Sequence, residues 1–378
     1  MSPVQPPPAR QANIVTAATR YRVMIVDDSA VIRGIIARTL ESEPDIVVAT
    51  TASNGEQAVR LLAQTPVDVV VLDIEMPVLD GLGALPRLLA IDRNLKIVMA
   101  STLTQRNAEI SLKALDLGAA DYIPKPTATR EISASDDFKR ELVSRVRALG
   151  AAYRRAAGLP SWNAASAPSV VAPKIPVFAL RPFRIRPIEA LAVGSSTGGP
   201  QALIRLFKSL KSFAGPVLVT QHMPPTFTAI LADNIARSTG RACAEAKEGE
   251  ALVAGRIYVA PGNFHMTVWR DGPHVRIRLH QDAPENFCRP SVDPMLRSMA
   301  QVWGSSLLAV ILTGMGQDGL RGCRAVVEGG GVVIAQDEAS SVVWGMPGAV
   351  ANDGLCSIVK PIDDLVAFVE SAGQGRAA

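Results

Sequence analysis

Cysteine is scarce in this chain of 378 residues, and so are aromatic residues, which make up 4% of it. The four cysteines lie far apart in the sequence, at Cys243, Cys288, Cys323 and Cys356. None of them has the spacing of a metal-binding C-x-x-C motif. We therefore expect reduced thiols and a cytoplasmic protein.

Long apolar runs are also missing. No stretch approaches the roughly 18 consecutive apolar residues that a membrane span needs, and residues 1–19 have no apolar core of the kind found in a secretory signal. We expect residues 1–19 to be a disordered tail, with no direct membrane insertion. The net charge of +4 decides nothing about nucleic acid, but no basic patch is interleaved with aromatic residues, so we expect no nucleic-acid partner.

The length and the alternation of apolar runs with helical patterns predict two α/β domains, each with a sizeable core. We predict the first domain over residues 20–147 and the second over residues 187–373. Residues 148–186 are rich in Ala, Pro and Arg, a composition that favours a linker.

The most informative segment runs from Leu191 to Pro200, where an apolar strand pattern breaks into Gly194-Ser-Ser-Thr-Gly198 and then into a helical pattern. The G-x-S-x-G spacing is that of a nucleophile elbow, in which flanking glycines let the backbone bend and expose the serine. A Gly/Ser-rich turn of this kind also cradles phosphates through helix N-terminal amides. The motif alone leaves both interpretations open.

Two later strand patterns favour the nucleophile. One ends at His222 and another leads into Asp318. Because ligands and catalytic side chains gather at the carboxyl ends of parallel strands, we expect Ser196, His222 and Asp318 to meet there. A serine needs a neutral imidazole to take its proton, and the imidazole needs a carboxylate to orient it.

Five segments resemble the chemotaxis protein-glutamate methylesterase family: Val-Gly-Ser-Ser-Thr-Gly-Gly, Thr-Gln-His-Met-Pro-Pro, Ala-Pro-Gly-Asn-Phe-His-Met, Arg-Pro-Ser-Val-Asp and Leu-Thr-Gly-Met-Gly-Gln-Asp-Gly. The resemblance spans about residues 187 to 370. It implies a doubly wound, mostly parallel α/β methylesterase domain that hydrolyses glutamate γ-methyl esters and deamidates glutamines on methyl-accepting chemoreceptors, with no cofactor for this chemistry.

Carried over by position, the resemblance implies that Ser196 is the nucleophile, His222 the base and Asp318 the orienting acid. Thr197 lies beside the nucleophile, and the backbone amide of Met315 is expected to help bind the oxyanion. This chain departs from many family members at Cys288, where they have a histidine. We expect that change to affect local packing or substrate contacts rather than the chemistry.

Rival residues exist for the base and for the acid. His274 and His280 lie in an alternating pattern that predicts a hairpin strand with a solvated face. His265 follows a Pro-Gly-Asn turn and is the better competitor of His222. Asp293 is the rival acid, although its Ser-Val-Asp-Pro setting favours the start of a helix.

A second set of polar residues lies in the N-terminal half. One apolar strand pattern ends in Asp27 and Asp28, and another ends in Asp73. Clustered carboxylates repel one another unless a hard cation lies among them, and Mg²⁺ fits that role. Ser101 and Lys125 follow two later strand patterns and can contact a phosphoryl oxygen.

These residues resemble a response-regulator receiver domain over residues 21 to about 145. The resemblance implies a flavodoxin-like (βα)₅ fold in which Asp73 accepts phosphate from a histidine kinase. It also implies that Asp28, Asp73 and a carbonyl near Glu75 hold Mg²⁺, with Asp27 in support, and that Ser101 and Lys125 respond to the phosphoryl group. We expect the receiver to cover the Ser196 site until Asp73 is phosphorylated.

Two other functions make different demands on the sequence. A response regulator with a DNA-binding output needs a helix-turn-helix with a basic recognition helix, but the C-terminal half shows strand after strand. A nucleotide-binding module needs an acidic residue about 20 positions after the glycine-rich turn, and Val217–Thr220 supplies none.

Overall fold

The computed structural model describes residues 19–102, 104–125, 136–160, 179–182, 187–210 and 213–373. The predicted tail up to residue 18 lies outside the described residues, and so does most of the predicted linker, at 161–178 and 183–186.

The first unit is a five-stranded parallel sheet with strand order β2-β1-β3-β4-β5. The strands are β1 (Tyr21–Val26), β2 (Ile46–Ala52), β3 (Val69–Asp73), β4 (Lys96–Thr102) and β5 (Asp121–Lys125). The helices are α1 (Ala30–Glu41), α2 (Gly55–Gln64), α3 (Gly81–Ile91), α4 (Gln105–Asp116) and α5 (Asp136–Ala156). This order is that of flavodoxin-like folds, as predicted.

Helix α5 extends past residue 147, where we predicted the first domain to end. It continues to Ala156, so the first residues of the predicted linker, 148–156, belong to a helix. Its buried side chains include Leu142, Val146 and Leu149, which pack with strand residues of the first sheet. Packing against this sheet therefore stabilises a helix in a segment whose composition resembles a linker.

The second unit is a seven-stranded parallel sheet with order β14-β13-β12-β6-β7-β9-β8. Its strands are β6 (Ala190–Ser195), β7 (Val217–Gln221), β8 (Cys243–Glu245), β9 (Ile257–Val259), β12 (Leu307–Ile311), β13 (Val332–Gln336) and β14 (Ile358–Lys360). The helices are α6 (Gly199–Ser209), α7 (Phe227–Thr239), α8 (Val292–Trp303), α9 (Leu320–Glu328), α10 (Met346–Asn352) and α11 (Ile362–Gly373). The predicted α/β fold of this half is confirmed.

Burial explains why the central strands read as unbroken apolar runs. Every residue of β6, β7, β12 and β13 is buried, as expected for a parallel sheet covered on both faces. The alternating segment forms β11 (His274–His280), which pairs antiparallel with β10 (His265–Asp271) as the predicted hairpin.

The two units pack against each other. Helix α4 of the first unit contacts α6 and α7 of the second. Between the units, the rings of Tyr122 and Phe227 stack with centroids 4.5 Å apart and planes 7° apart. Within the described ranges, none of the helices combines the length and the apolar character needed to cross a membrane.

Candidate functional site

The second sheet brings the ends of three strands together. β6 lies between β12 and β7, so Ser196 and His222 each directly follow one of two neighbouring strands. The His222 N–H donates to the Ser195 carbonyl at 3.2 Å. Asp318 arrives from the loop after β12, because the carboxyl ends of parallel strands share one edge.

Glycines shape the turn that carries Ser196. Gly198 has a φ of 75°, and a Cβ there would lie 2.5 Å from Val342 Cγ2. A Cβ on Gly199 would lie 1.9 Å from Gln221 Oε1. Gln221 in turn holds the turn by donating from Nε2 to the Ser196 carbonyl at 2.9 Å. A larger residue would strain the backbone and crowd Val342 at position 198, and would displace the Gln221 side chain at position 199.

Several hydrogen-bond donors fix the position of the Asp318 carboxylate. Its Oδ2 lies 2.7 Å from His222 Nε2 and accepts the Val292 N–H at 2.7 Å. Its Oδ1 accepts the Ser291 hydroxyl at 2.7 Å and the Asn286 side-chain amide at 2.9 Å. Burial alone raises the pKa of a carboxyl, but the His222 ring and these donors outweigh it and lower the pKa of Asp318 to about 2. The group is therefore an anion placed at the N-terminus of α8, where the helix dipole also favours it.

His222 has a contact on each ring nitrogen. Nε2 faces Asp318, and Nδ1 lies 3.4 Å from the sulfur of Cys288. Burial disfavours a charged ring, but the Cys288 sulfur and the Asp318 carboxylate favour it more and raise the pKa of His222 to about 10.

The Ser196 hydroxyl makes no hydrogen bond with any described residue, although the side chain is nearly buried, with 8% of the residue exposed. Ser196 and His222 follow two paired strands, but their side chains do not form the hydrogen bond that proton transfer requires. Such bonds are often absent in resting enzymes and form only with substrate. The assignment of Ser196, His222 and Asp318 stays a prediction.

The rival histidine His265 has a different environment. It is fully buried, its Nδ1 accepts the Ser291 N–H at 3.2 Å, and its Nε2 lies 3.2 Å from the Ala283 carbonyl. The first contact uses the lone pair of Nδ1, so Nε2 carries the proton. Burial also lowers the pKa of His265. Neither nitrogen is free to accept a serine proton.

The rival acid Asp293 lies in the first turn of α8, where its sequence setting predicted it. Its Oδ1 accepts the Gly322 N–H at 2.7 Å and its Oδ2 accepts the Asn286 amide at 3.0 Å. Burial and the neighbouring Asp318 raise the pKa of Asp293. Its Gly322 partner joins α8 to α9, and its hydrogen-bond partners among the described residues do not include a histidine.

The two predicted supporting residues contact the first unit. The Thr197 hydroxyl donates to Asp121 Oδ2 at 2.6 Å, and Asp121 is in turn paired with Arg145. The Ser144 hydroxyl lies 3.1 Å from the sulfur of Met315. Among the described residues, the backbone N–H groups of Thr197 and Met315 have no hydrogen-bond acceptor.

Sequence reasoning missed Asp121 and the contact between Cys288 and His222. The position of Asp121 before an apolar strand pattern carries no signal of a contact with Thr197, which lies 76 residues away. Cys288 departs from the family pattern, and we expected packing or substrate contacts to change. The structure places its sulfur 3.4 Å from Nδ1 of His222, a local contact whose effect on the chemistry stays a prediction.

At the edge of the first sheet, Asp27, Asp28 and Asp73 offer carboxylate oxygens that lie within 4.8 Å of one another. Lys125 Nζ contacts Asp27 and lies 2.7 Å from Asp73 Oδ1. Burial raises the pKa of Asp73 to about 6, although Lys125 opposes the shift. Three carboxylates, of which two contact one ammonium, leave negative charge on hard oxygen ligands, which suits Mg²⁺.

Ser101 is buried nearby, and its hydroxyl lies 3.1 Å from that of Ser111. The strand order β1-β3-β4-β5 places the ends of the strands that carry Asp27, Asp73, Ser101 and Lys125 next to one another. The side chains expected to respond to phosphate therefore share one sheet edge.

Comparisons with known proteins match both units. The family model for the CheB methylesterase matches residues 191–369, and that for the response regulator receiver domain matches residues 23–135. A protein-glutamate methylesterase/protein-glutamine glutaminase of a group 2 operon from Rhodospirillum centenum is 56% identical over 375 residues, which cover 95% of each chain. One from Azospirillum brasilense is 53% identical over 383 residues, covering 97% of this chain and 96% of that one.

Among solved structures, the catalytic domain of the Thermotoga maritima CheB methylesterase is 37% identical and covers 49% of this chain and 98% of its own, with a TM-score of 0.48. The matches to these two relatives cover 95% and 97% of this chain and therefore extend over both units. The chain therefore belongs to the CheB methylesterase family and is a methylesterase that carries a response regulator receiver domain.

Proposed function

We propose that this protein is a phosphorylation-activated hydrolase of methyl-accepting chemotaxis receptors, on which it demethylates glutamate γ-methyl esters and deamidates glutamines. The relatives named above carry both activities in their names. Methyl esters and primary amides present the same chemical problem, since each requires a nucleophile at one acyl carbon and a proton for the leaving group.

The observation that carries the proposal is the His222–Asp318 pair, 2.7 Å apart, next to a nearly buried Ser196 hydroxyl without a partner among the described residues. His222 removes the serine proton as the oxygen attacks the acyl carbon, and then returns it to methanol or ammonia. Asp318 keeps the ring oriented and stabilises its cation. Water then releases the acyl group by the same steps in reverse.

The oxyanion of the tetrahedral intermediate needs donors. The N–H after the nucleophile is a common donor in such turns, and here it belongs to Thr197. The Met315 N–H is the second. Both lack acceptors among the described residues, which supports this role because preorganised amides stabilise charge without reorganisation.

The receiver controls access to this site. Thr197 and Met315, beside the nucleophile, contact Asp121 and Ser144 of the receiver. Substrate binding therefore competes with domain contact. A histidine kinase supplies the phosphoryl group to Asp73, after which Ser101 and Lys125 turn towards the new charge and change the surface that includes β5.

Asp28 and Asp73 would hold Mg²⁺ in the receiver, with Asp27 in support. The ion would supply neutralisation of charge on the phosphoryl oxygens. Before phosphorylation, Lys125 occupies part of that cluster through its contacts with Asp27 and Asp73. The ester hydrolysis is assigned to protein side chains alone.

Release of methanol from radiolabelled, methylated receptor membranes tests the proposal. Ser196→Ala and His222→Ala should each lower the rate by several orders of magnitude, and the double variant should lose little more, because the residues act as a unit. Ser238→Ala is the matched control: its hydroxyl donates to Asn234 at 3.3 Å within α7. Near-normal turnover in Ser196→Ala would end the nucleophile assignment.

A further inference from the structure

Phe287 exposes an aromatic ring beside the candidate site, with 82% of the residue accessible to solvent. On one side of it in the chain, Asn286 donates to Asp318 at 2.9 Å. On the other side, the Cys288 sulfur lies 3.4 Å from His222 Nδ1. Single apolar residues are common on protein surfaces, so exposure by itself does not mark a binding residue. What contacts this ring is informative because the base and the acid lie next to it.

One helix of the receiver contacts the ring. The Arg140 guanidinium, on α5, lies 4.8 Å from the centroid of the Phe287 ring. One turn further along α5, the Ser144 hydroxyl lies 3.1 Å from the sulfur of Met315. Residues four positions apart lie on the same face of a helix. A single face of α5 therefore contacts both Phe287 and Met315.

Phe287 and Met315 belong to two loops that border the candidate triad. Met315 follows Gly314, where a Cβ would lie 2.9 Å from Ser196 Cβ, so this loop packs against the nucleophile. The Phe287 loop lies against the base through the neighbouring Cys288. Because the axial rise between residues i and i+4 of a helix is about 6 Å, α5 connects the two loops within about one turn.

The surface under α5 also has apolar residues. Met315 and Val342 of the second unit pack with an apolar cluster that includes side chains of α5. Val342 lies against the turn that carries Ser196, since a Cβ on Gly198 would be 2.5 Å from its Cγ2. Apolar residues that receive one face of a helix form a helix-binding groove, in which anchors recur at i and i+4. We call Phe287, Met315 and Val342 the α5 groove.

We propose that the α5 groove is the docking site for the substrate protein, which binds there as a helical segment, and that Phe287 is its main anchor. In the unphosphorylated chain α5 occupies the groove, and the substrate segment replaces it when the receiver moves away. The inference rests on the proposed function, since it takes Ser196 as the group that the glutamate ester must reach. A segment that brings its ester to Ser196 lies over the same two loops, because they border the nucleophile and the base. The helix already bound there indicates which shape the groove accepts.

The first test measures hydrolysis by the full-length chain, activated with acetyl phosphate and Mg²⁺, on radiolabelled methylated receptor membranes. Phe287→Ala should raise KM for the receptor about tenfold and change kcat by about twofold or less, because burial of a phenylalanine ring contributes at least that much to binding and the loss is one of uniform binding. A small ester, the γ-methyl ester of N-acetylglutamate, should be hydrolysed with the wild-type kcat/KM, since it is too short to reach the groove.

Two variants control for other effects of the substitution. Phe287→Tyr keeps the ring and should keep a KM near that of wild type. Val253→Ala shortens another exposed apolar side chain of the same unit. Val253 precedes β9 and therefore lies at the amino ends of the parallel strands, away from the site, so KM should not change. The backbone at Phe287 has a φ of 62°, and alanine bears a similar cost there, so the substitution removes the ring without relieving the backbone.

Two kinetic results would overturn the inference. A wild-type KM for the receptor in Phe287→Ala would mean that the ring does not bind substrate. An equal loss of kcat/KM on the receptor and on the small ester would mean that Phe287 acts on His222 through its loop rather than on docking.

The second test identifies what lies against the ring, by photo-crosslinking from Phe287→p-benzoylphenylalanine and peptide mass spectrometry. In the unphosphorylated chain the crosslinks should fall on α5 near Arg140. With acetyl phosphate, Mg²⁺ and receptor membranes they should move to the receptor segment that carries the methylated glutamate, at positions about three or four residues apart, as on one face of a helix. Crosslinks that stay on α5 in both conditions, or that fall on a consecutive run of receptor residues, would contradict the proposed helical docking.

Ser196→Ala, introduced into the crosslinking variant, separates this inference from the proposed function. Crosslinking to the receptor should persist while hydrolysis is lost, because the serine takes no part in docking. If Ser196→Ala kept its hydrolytic rate with the crosslinks unchanged, the proposed nucleophile would be wrong and the groove would be upheld. If Ser196→Ala lost hydrolysis but Phe287→Ala kept the wild-type KM, the groove would be wrong and the nucleophile would be upheld.

Discussion

Gln201 joins the two units from a position outside the candidate triad. It lies on α6, and its Nε2 donates to the Leu115 carbonyl at 3.1 Å and to the Ala119 carbonyl at 3.0 Å, both on the receiver. Gln201→Ala removes both bonds and preserves the helix, because alanine has the highest helix propensity. The substitution therefore weakens domain contact with little effect on local structure.

The size of the effect follows from these contacts. A neutral hydrogen bond contributes about 0.5–1.5 kcal/mol net, so two contribute about 1–3 kcal/mol. Against this, Gln201 Oε1 is buried without a hydrogen-bond partner in the described part of the chain, and removing an unsatisfied group recovers part of that stability. We expect a net loss of about 1 kcal/mol, which is about a fivefold shift from the closed to the open arrangement.

Methanol release by the unphosphorylated protein should therefore rise about fivefold, because activity follows the small open population. The rate with a small phosphodonor and Mg²⁺ should match that of wild type. Arg155→Ala is the matched control: it removes an exposed ion pair with Glu338 between the same units, at 2.8 Å. Exposed pairs contribute little, so the control should change the basal rate by about twofold or less.

Two results would refute the reasoning about Gln201. An unchanged basal rate would mean that these hydrogen bonds do not limit opening. An equal rise with and without phosphodonor would mean that the substitution acts on the chemistry rather than on the domain equilibrium. A fragment of residues 187–378, checked for folding by circular dichroism, should exceed the basal rate of the full chain and should not respond to Gln201→Ala.

Two further predictions concern the carboxylates of the two sites. Asp73→Asn should keep the basal hydrolytic rate but gain nothing from acetyl phosphate, and chelation of Mg²⁺ with EDTA should abolish that gain in wild type; activation of Asp73→Asn by acetyl phosphate would place the phosphoacceptor elsewhere. Asp318→Asn should lower turnover by up to about 10⁴-fold, because the ring loses its orientation while the proton acceptor remains. The pKa of Asp318 is lowered to about 2, so its contribution to stability, of the order of 2–3 kcal/mol, is present above about pH 4 and lost as the pH falls towards 2. Thermal unfolding of wild type and Asp318→Asn at pH 5 and pH 2.5 should show a difference that is largest at pH 5, and an equal difference at both values would contradict this sign.

Local sequence patterns were sufficient to predict the fold class and the candidate site residues. The unbroken apolar runs of β1, β3, β6 and β7 were recognisable as buried parallel strands because both faces of such strands are covered. The glycines around Ser196 were recognisable because a sharp turn needs them. These are properties of neighbouring residues, so the sequence alone was sufficient for them, and the resemblance in five segments identified the family.

The composition of one segment predicted a linker, but tertiary packing makes that segment part of a helix. Residues 148–156 have the Ala- and Arg-rich composition of a linker, but they continue α5, whose apolar face packs on the first sheet. Helices owe most of their stability to such packing rather than to propensity. The position of the helix end was therefore not predictable from the sequence.

Only the tertiary structure decided which groups touch His222 and Thr197. Cys288 lies 66 residues from His222, and Asp121 lies 76 residues from Thr197. The local sequence does not predict a contact between residues so far apart, because such a contact depends on how loops and whole domains pack. The sequence determined that a serine, a histidine and an aspartate stand at strand ends. The packing of the chain determined that the histidine faces a thiol and that the receiver lies against the residue beside the serine.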